Sequence, residues 1–215
     1  MPITSVSPLY PIFDNQFLPE NPNLRSALLK STLKDFAALG ITLAQLRWKA
    51  ASEGQIRECA EAIRNARIGP LQCVLNDDPR LACELGFAGV HLGQRDVPVA
   101  EARPLLQPEA IIGLSTHSAA QVSSADQTGA DYIAIGPVFA TSTKFDAEPV
   151  IGLEGVRAAR ALTRKPLVAI GGITLENAVS VREAGADSLA VISALFGHPE
   201  HSPAKLAEDF LRRLR

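Results

Sequence analysis

The residues best suited to chemistry are cations and acids that follow short apolar runs. In Gln45-Leu46-Arg47-Trp48-Lys49, an extended backbone alternates its side chains between faces, so Gln45, Arg47 and Lys49 share one face. Two cations turned toward a common interior are costly unless an anion meets them. The competing reading is a strand end running into solvent, with Lys49 merely on the surface. Two acidic strings follow later runs, Asn76-Asp77-Asp78 and His91-Leu92-Gly93-Gln94-Arg95-Asp96. Asp78, directly before Pro79, is the better helix N-cap. Asp77 and Asp96 then remain for Mg2+, which is usually held by one or two carboxylates plus a substrate's phosphate oxygens. His91 lies inside an apolar run and is expected as a hydrogen-bonded core residue rather than a ligand.

Further along, Ser115 sits in Gly113-Leu114-Ser115-Thr116-His117. No residue reads as its activating base, which argues against a serine hydrolase. His117 reads equally well as a helix-start residue and as a functional one. The string Thr141-Ser142-Thr143-Lys144 offers three hydroxyls and a cation to an anion, although exposed Ser/Thr loops are common. Gly171-Gly172 follows one apolar run, and Ile192-Ser193 closes another. Glycines let backbone N–H groups approach an anion closely. These features suit one monophosphate site near Gly172 and Ser193. A second site, from Arg47, Lys49, Lys144 and the two acids, suits a metal-bound pyrophosphate. Together they suggest a diphosphate leaving group displaced by a second, monophosphorylated substrate.

Positioning these groups requires a repeated scaffold. Apolar runs recur at 9–13, 41–48, 71–76, 88–92, 110–115, 132–138, 166–172 and 188–193. Their nearly continuous apolar character fits buried parallel strands. Amphipathic helical patterns lie between several of them, at 24–39, 56–66, 153–162, 175–184 and 204–214. Glycines near 38–40, 128–131 and 184–187 suit left-handed helix C-caps. Eight units in 215 residues predict a single-domain (β/α)8 TIM barrel over residues 1–215, in preference to an open doubly wound sheet. In a barrel, catalytic groups gather at the carboxyl ends of the strands, where each polar string above falls. The loops after strands seven and eight, with a short extra helix from Ser193, are then the expected phosphate site.

Bulk properties narrow the partners. A net charge of -2 without a basic tract argues against nucleic acid and anionic membrane surfaces. No apolar stretch is long enough to cross a bilayer, and the opening MPITSVSPLYPIFD does not read as a signal peptide. Three cysteines without a spacing motif, Cys59, Cys73 and Cys83, argue against a disulfide framework or a zinc site. The expectation is a cytoplasmic protein acting on small molecules, with a homo-oligomer left open.

These motifs resemble the thiamine phosphate synthase family over nearly the whole chain. The matching segments are LYPIFD (9–14), QLRWK (45–49), NDD (76–78), HLGQRD (91–96), GLSTH (113–117), GPVFATSTK (136–144), AIGGI (169–173) and VISA (191–194). The resemblance implies that hydroxymethylpyrimidine diphosphate and a thiazole phosphate join to give thiamine phosphate and pyrophosphate. It implies that Gln45, Leu46, Arg47, Trp48, Lys49, Asn76, Ser115 and Lys144 hold the pyrimidine diphosphate, with Arg47, Lys49, Ser115 and Lys144 catalytic. Asp77 and Asp96 match magnesium ligands. Thr141, Ser142, Thr143, Gly172, Ile192 and Ser193 match the thiazole phosphate site. Trp48 and Arg95 stand where an acid is common in the family, and Pro11 and Phe13 replace commoner residues. Rival readings are a thiazole tautomerase-type relative, another sugar-phosphate barrel enzyme, and a catalytically idle barrel that binds thiazole or thiamine phosphates. Replacing Arg47 or Lys144 by Ala is expected to lower turnover by orders of magnitude without unfolding the barrel.

Overall fold

A computed structural model describes residues 6–49, 51–141, 148–198 and 200–215. Eight parallel strands close on themselves in chain order. They are β1 (Leu9–Asp14), β2 (Leu43–Arg47), β3 (Gln72–Asn76), β4 (Gly89–Leu92), β5 (Ile111–Thr116), β6 (Tyr132–Ile135), β7 (Leu167–Ile170) and β8 (Ser188–Val191). Closure comes from β8 pairing with β1, with Leu9 opposite Leu189. The expected barrel is the one observed. Each apolar run coincides with a strand; four strands stop short of the ends of their runs, β2 before Trp48, β6 before Gly136, β7 before Gly171 and β8 before Ile192, while β1 and β5 extend one residue beyond theirs.

The helices on the outside are α1 (Pro22–Ala38), α2 (Glu53–Ala66), α3 (Pro79–Glu84), α4 (Val99–Ala102), α5 (Ala119–Asp126), α6 (Gly152–Leu162), α7 (Ala178–Glu183), α8 (Ser193–Phe196) and α9 (Pro203–Arg213). Alternation along each strand splits the apolar residues into two cores. The larger lies between barrel and helices and holds Leu9, Phe13, Leu46, Leu75, Leu92 and Ile133. The smaller fills the barrel interior with Tyr10, Ile12, Leu43, Val74, Tyr132 and Val168. Neighbours along one strand, such as Leu9 and Tyr10 or Tyr132 and Ile133, therefore serve different cores.

Local chemistry sets the element ends. Ser52 and Gln55 form a capping box at the start of α2. Asp78 accepts from the Leu81 N–H at 3.0 Å, with Pro79 opening α3, so Asp78 is the cap and Asp77 is not. Gly40 and Gly185 take the left-handed conformation that ends α1 and α7, whereas Gly129 does not. The repeated Gly-Ala-Asp strings acquire a structural role at the amino ends of the strands. Asp131 accepts from the Ile112 N–H at 2.8 Å and from Arg103 at 2.7 Å. Asp187 does the same for Leu167 at 2.8 Å and Arg160 at 2.7 Å. At that end of a barrel such contacts serve stability.

Candidate active site

A cavity of about 760 Å³ opens at the carboxyl ends of the strands. Gln45, Arg47 and Lys49 all line it, as period-two alternation requires. Leu46 and Trp48 do not. Both are buried in the core between barrel and helices, so their side chains face away from the cavity and only their backbone could meet a substrate. Asn76, Asp77, Asp96, Ser115 and Thr141 line the cavity, as do Gly172, Ile192 and Ser193 on the opposite arc of strands. Ser142, Thr143 and Lys144 lie outside the described residues.

Arg47 is paired with Asp14, the last residue of β1 and fully buried. The two are register partners across the β1–β2 pair. The second Asp14 oxygen accepts from the Gln16 N–H at 3.0 Å. Asp14 holds the guanidinium in place at the mouth of the barrel, a role that reading the sequence did not assign. This pairing also changes one expectation: removing Arg47 strands a buried acid, so Arg47→Ala cannot be neutral for folding.

Lys49 is paired with Asp77 at the half-exposed rim. Asp77 has φ 71, in the left-handed region that non-glycine residues rarely adopt. Its N–H donates to the His91 carbonyl at 2.9 Å, which holds that turn. Such strain tends to gather at functional sites. Asp96 accepts from the Gly93 N–H at 2.6 Å. Burial pushes its carboxyl above the ordinary range; the Gly93 bond opposes this, and the neighbouring Asp77 carboxyl raises it further. Two carboxyls this close share charge poorly unless a cation joins them, and Lys49, paired with Asp77, meets that need in part. Among the described residues no group of three or more His, Cys, Asp or Glu is placed to hold a metal. The pair Asp77 and Asp96 fits an ion that takes its remaining ligands from substrate oxygens and water.

On the opposite arc, Gly171 (φ 104) and Gly172 (φ 61) turn the chain after β7. A Cβ on Gly172 would meet the Ala140 carbonyl oxygen at 2.5 Å, so only glycine fits. Helix α8 begins at Ser193, directly after β8.

His91 lines the cavity rather than being only a core residue, and its Nε2 lies 2.8 Å from Ser115 Oγ. His117 also lines it, with Nδ1 2.6 Å from the Gly136 carbonyl oxygen, while Ser118 is the residue that caps α5. Gln94 donates to the Ser115 carbonyl at 2.6 Å. His91, Asp14 and Gln94 were readable as strand-end polar residues, but their partners come from other strands.

Cations and acids gathered at the carboxyl ends of a closed eight-stranded parallel sheet define the (β/α)8-barrel enzymes as the class. Comparison with known proteins then gives the family. The model of the thiamine monophosphate synthase family matches residues 9–195, and the chain belongs to that family. It is 44% identical to a thiamine-phosphate synthase of Koribacter versatilis over 206 residues, 96% of this chain and 95% of that protein. A thiamine-phosphate synthase of Moorella thermoacetica is 41% identical, with 82% of this chain and 81% of that protein covered. Among solved structures, a thiamine phosphate pyrophosphorylase from Pyrococcus furiosus superposes with a TM-score of 0.80 at 32% identity, covering 96% of this chain and 94% of that one.

Proposed function

We propose that the protein joins 4-amino-2-methyl-5-hydroxymethylpyrimidine diphosphate to 4-methyl-5-(2-phosphoethyl)thiazole, releasing pyrophosphate and thiamine phosphate. The observation that carries this reading is a single cavity lined on one arc by Arg47, Lys49, Asp77 and Asp96 and on another by Gly172 and Ser193. One arc suits a diphosphate with a divalent cation, the other a monophosphate.

In the reaction the bond from the pyrimidine methylene carbon to the diphosphate oxygen breaks with both electrons leaving on oxygen. The thiazole nitrogen lone pair forms the new bond to that carbon. No proton is removed, so no strong general base is required. Arg47, fixed by Asp14, and Lys49 stand against the charge that grows on the departing diphosphate. Asp77 and Asp96 would hold Mg2+, which supplies further neutralisation of the same oxygens. Asn76, Gln45 and Ser115 suit the pyrimidine ring, and Lys144 is assigned to the diphosphate by its motif. Thr141, Ser142, Thr143, Gly172, Ile192 and Ser193 are assigned to the thiazole phosphate. Holding both substrates face to face supplies the remaining rate enhancement. Three free cysteines fit a reducing cytoplasm, and among the described residues no helix is long and apolar enough to cross a membrane.

The test is pyrophosphate release by purified protein. Release that requires both substrates, with thiamine phosphate formed in equal amount, supports the proposal. Pyrophosphate formed without the thiazole phosphate would point to simple hydrolysis instead.

A further inference from the structure

Two tyrosines in the barrel interior are larger and more polar than filling that space requires. Tyr10 on β1 and Tyr132 on β6 are both fully buried, and their hydroxyls lie 2.8 Å apart. The rings meet edge to face, with centroids 5.8 Å apart at 86°. Gln45 Nε2 donates to the Tyr10 hydroxyl at 3.0 Å. The Tyr132 hydroxyl lies 2.8 Å from His91 Nδ1. His91 Nε2 in turn lies 2.8 Å from Ser115 Oγ. The contacts form an unbroken chain from Gln45 to Ser115, and both ends line the cavity.

The sequence makes room for this chain at one position. Gly113 on β5 is the register partner of both His91 and Tyr132. A Cβ there would fall 2.0 Å from Tyr132 Cζ. With glycine between them, the phenol crosses β5 and stacks on the imidazole, with centroids 5.5 Å apart at 25°.

Counting protons gives the chain a direction. Each phenol has one proton, and a neutral imidazole has one N–H and one acceptor nitrogen. Gln45 donates to the Tyr10 oxygen and the other contact of that hydroxyl is Tyr132, so the arrangement that gives the Tyr10 O–H an acceptor has it donate to Tyr132. The Tyr132 O–H then donates to His91 Nδ1, and His91 donates from Nε2 to Ser115. We propose that Tyr10 and Tyr132 are positioning residues: they relay the orientation of the Gln45 amide to His91, hold its Nε2–H tautomer, and leave the Ser115 hydroxyl proton to be donated into the cavity. Burial raises both phenols well above their ordinary range, so they remain neutral. What the chain is proposed to set is orientation. It stands on the geometry of the protein alone; only its link to turnover rests on the proposed reaction.

The test is long-range ¹H–¹⁵N NMR of the histidine ring in ligand-free full-length protein, with His91 assigned by its loss in His91→Gln. The wild type is expected to show the Nε2–H tautomer. Tyr132→Phe keeps the ring and removes the hydroxyl, and is expected to give a mixture of tautomers. Gln45→Glu places an acceptor at the start of the chain. At a pH where the carboxyl ¹³C shift reports it ionised, the direction is expected to reverse and His91 to become Nδ1–H. Adding Tyr132→Phe to that variant is expected to abolish its effect on His91. An Nδ1–H wild type, an unchanged His91 in Gln45→Glu, or the same Gln45→Glu response without the Tyr132 hydroxyl would overturn the relay. In the turnover assay Tyr132→Phe is expected to lower kcat/KM about tenfold, the scale of one lost oriented hydrogen bond. The expected tautomer changes with wild-type turnover would uphold the relay and count against the role of Ser115 in the proposed reaction.

Discussion

Arg47 joins stability to function, and a pair of variants separates the two. Its partner Asp14 is 0% exposed, and Arg47 itself is 8% exposed. Replacing Arg47 by Ala leaves a carboxylate in the barrel wall without its counter-charge. Breaking a buried pair from one side costs about 3–5 kcal/mol. At roughly 2–4 °C per kcal/mol for a chain of this size, the melting temperature should fall by roughly 6–20 °C. The same change removes a preorganised cation from the departing diphosphate, which should lower kcat by about 10²–10³. Replacing both partners by apolar side chains, Asp14→Leu with Arg47→Met, removes the stranded charge. Such exchanges are often neutral or stabilising, so the double variant should recover most of the lost stability and none of the turnover. Thermal denaturation by circular dichroism and initial-rate pyrophosphate release provide the readouts. A wild-type melting temperature for Arg47→Ala would refute the buried pair. Near-normal turnover in the double variant would refute the assignment of Arg47 to the diphosphate.

Other consequences follow from the same contacts. Asp77→Ala should raise the magnesium concentration needed for half-maximal rate and, by relieving repulsion, return the Asp96 carboxyl toward its ordinary range; a magnesium titration and ¹³C NMR of Asp96 measure the two effects. Asp131→Ala orphans the Ile112 N–H and removes the carboxylate partner of Arg103 at the far end of the barrel, so it should lower stability by about 1–3 kcal/mol, with KM for both substrates unchanged. Burial pushes Cys59 up to about 11 and Cys73 up to about 12, so in native protein near neutral pH a thiol reagent should reach the half-buried Cys83 first. Because both folded-state values lie above that of a free thiol, about 8.5, these two thiols favour the fold below that pH. Their contribution is lost as pH rises toward 11 and 12, which an alkaline denaturation series would detect.

The barrel was legible because each strand is buried on both faces and so appears as a short continuous apolar run. The short helices α3 and α8 were legible only at their starts, Asp78-Pro79 and Ser193, and α4 was not, since four to six residues carry too little periodicity to distinguish helix from loop. At the site, alternation along one strand placed Gln45, Arg47 and Lys49 together. It also implies that Leu46 and Trp48 point away, which reading the motif as a block overlooked. What a single sequence does not contain is register. Asp14 reads as the polar end of an apolar run until β1 pairs with β2 and sets it beside Arg47, 33 residues on. Tyr10 and Tyr132 read as apolar strand members for the same reason, because the bond between their hydroxyls spans 122 residues.

In the proposed reaction this cavity expels pyrophosphate with the help of a divalent cation held at Asp77 and Asp96. The most direct measurement is pyrophosphate release from purified protein given both substrates, with magnesium and then with excess chelator. Release matched by thiamine phosphate is expected with magnesium, and its loss with chelator. Folded protein that binds the thiazole phosphate yet releases no pyrophosphate with magnesium present would contradict it.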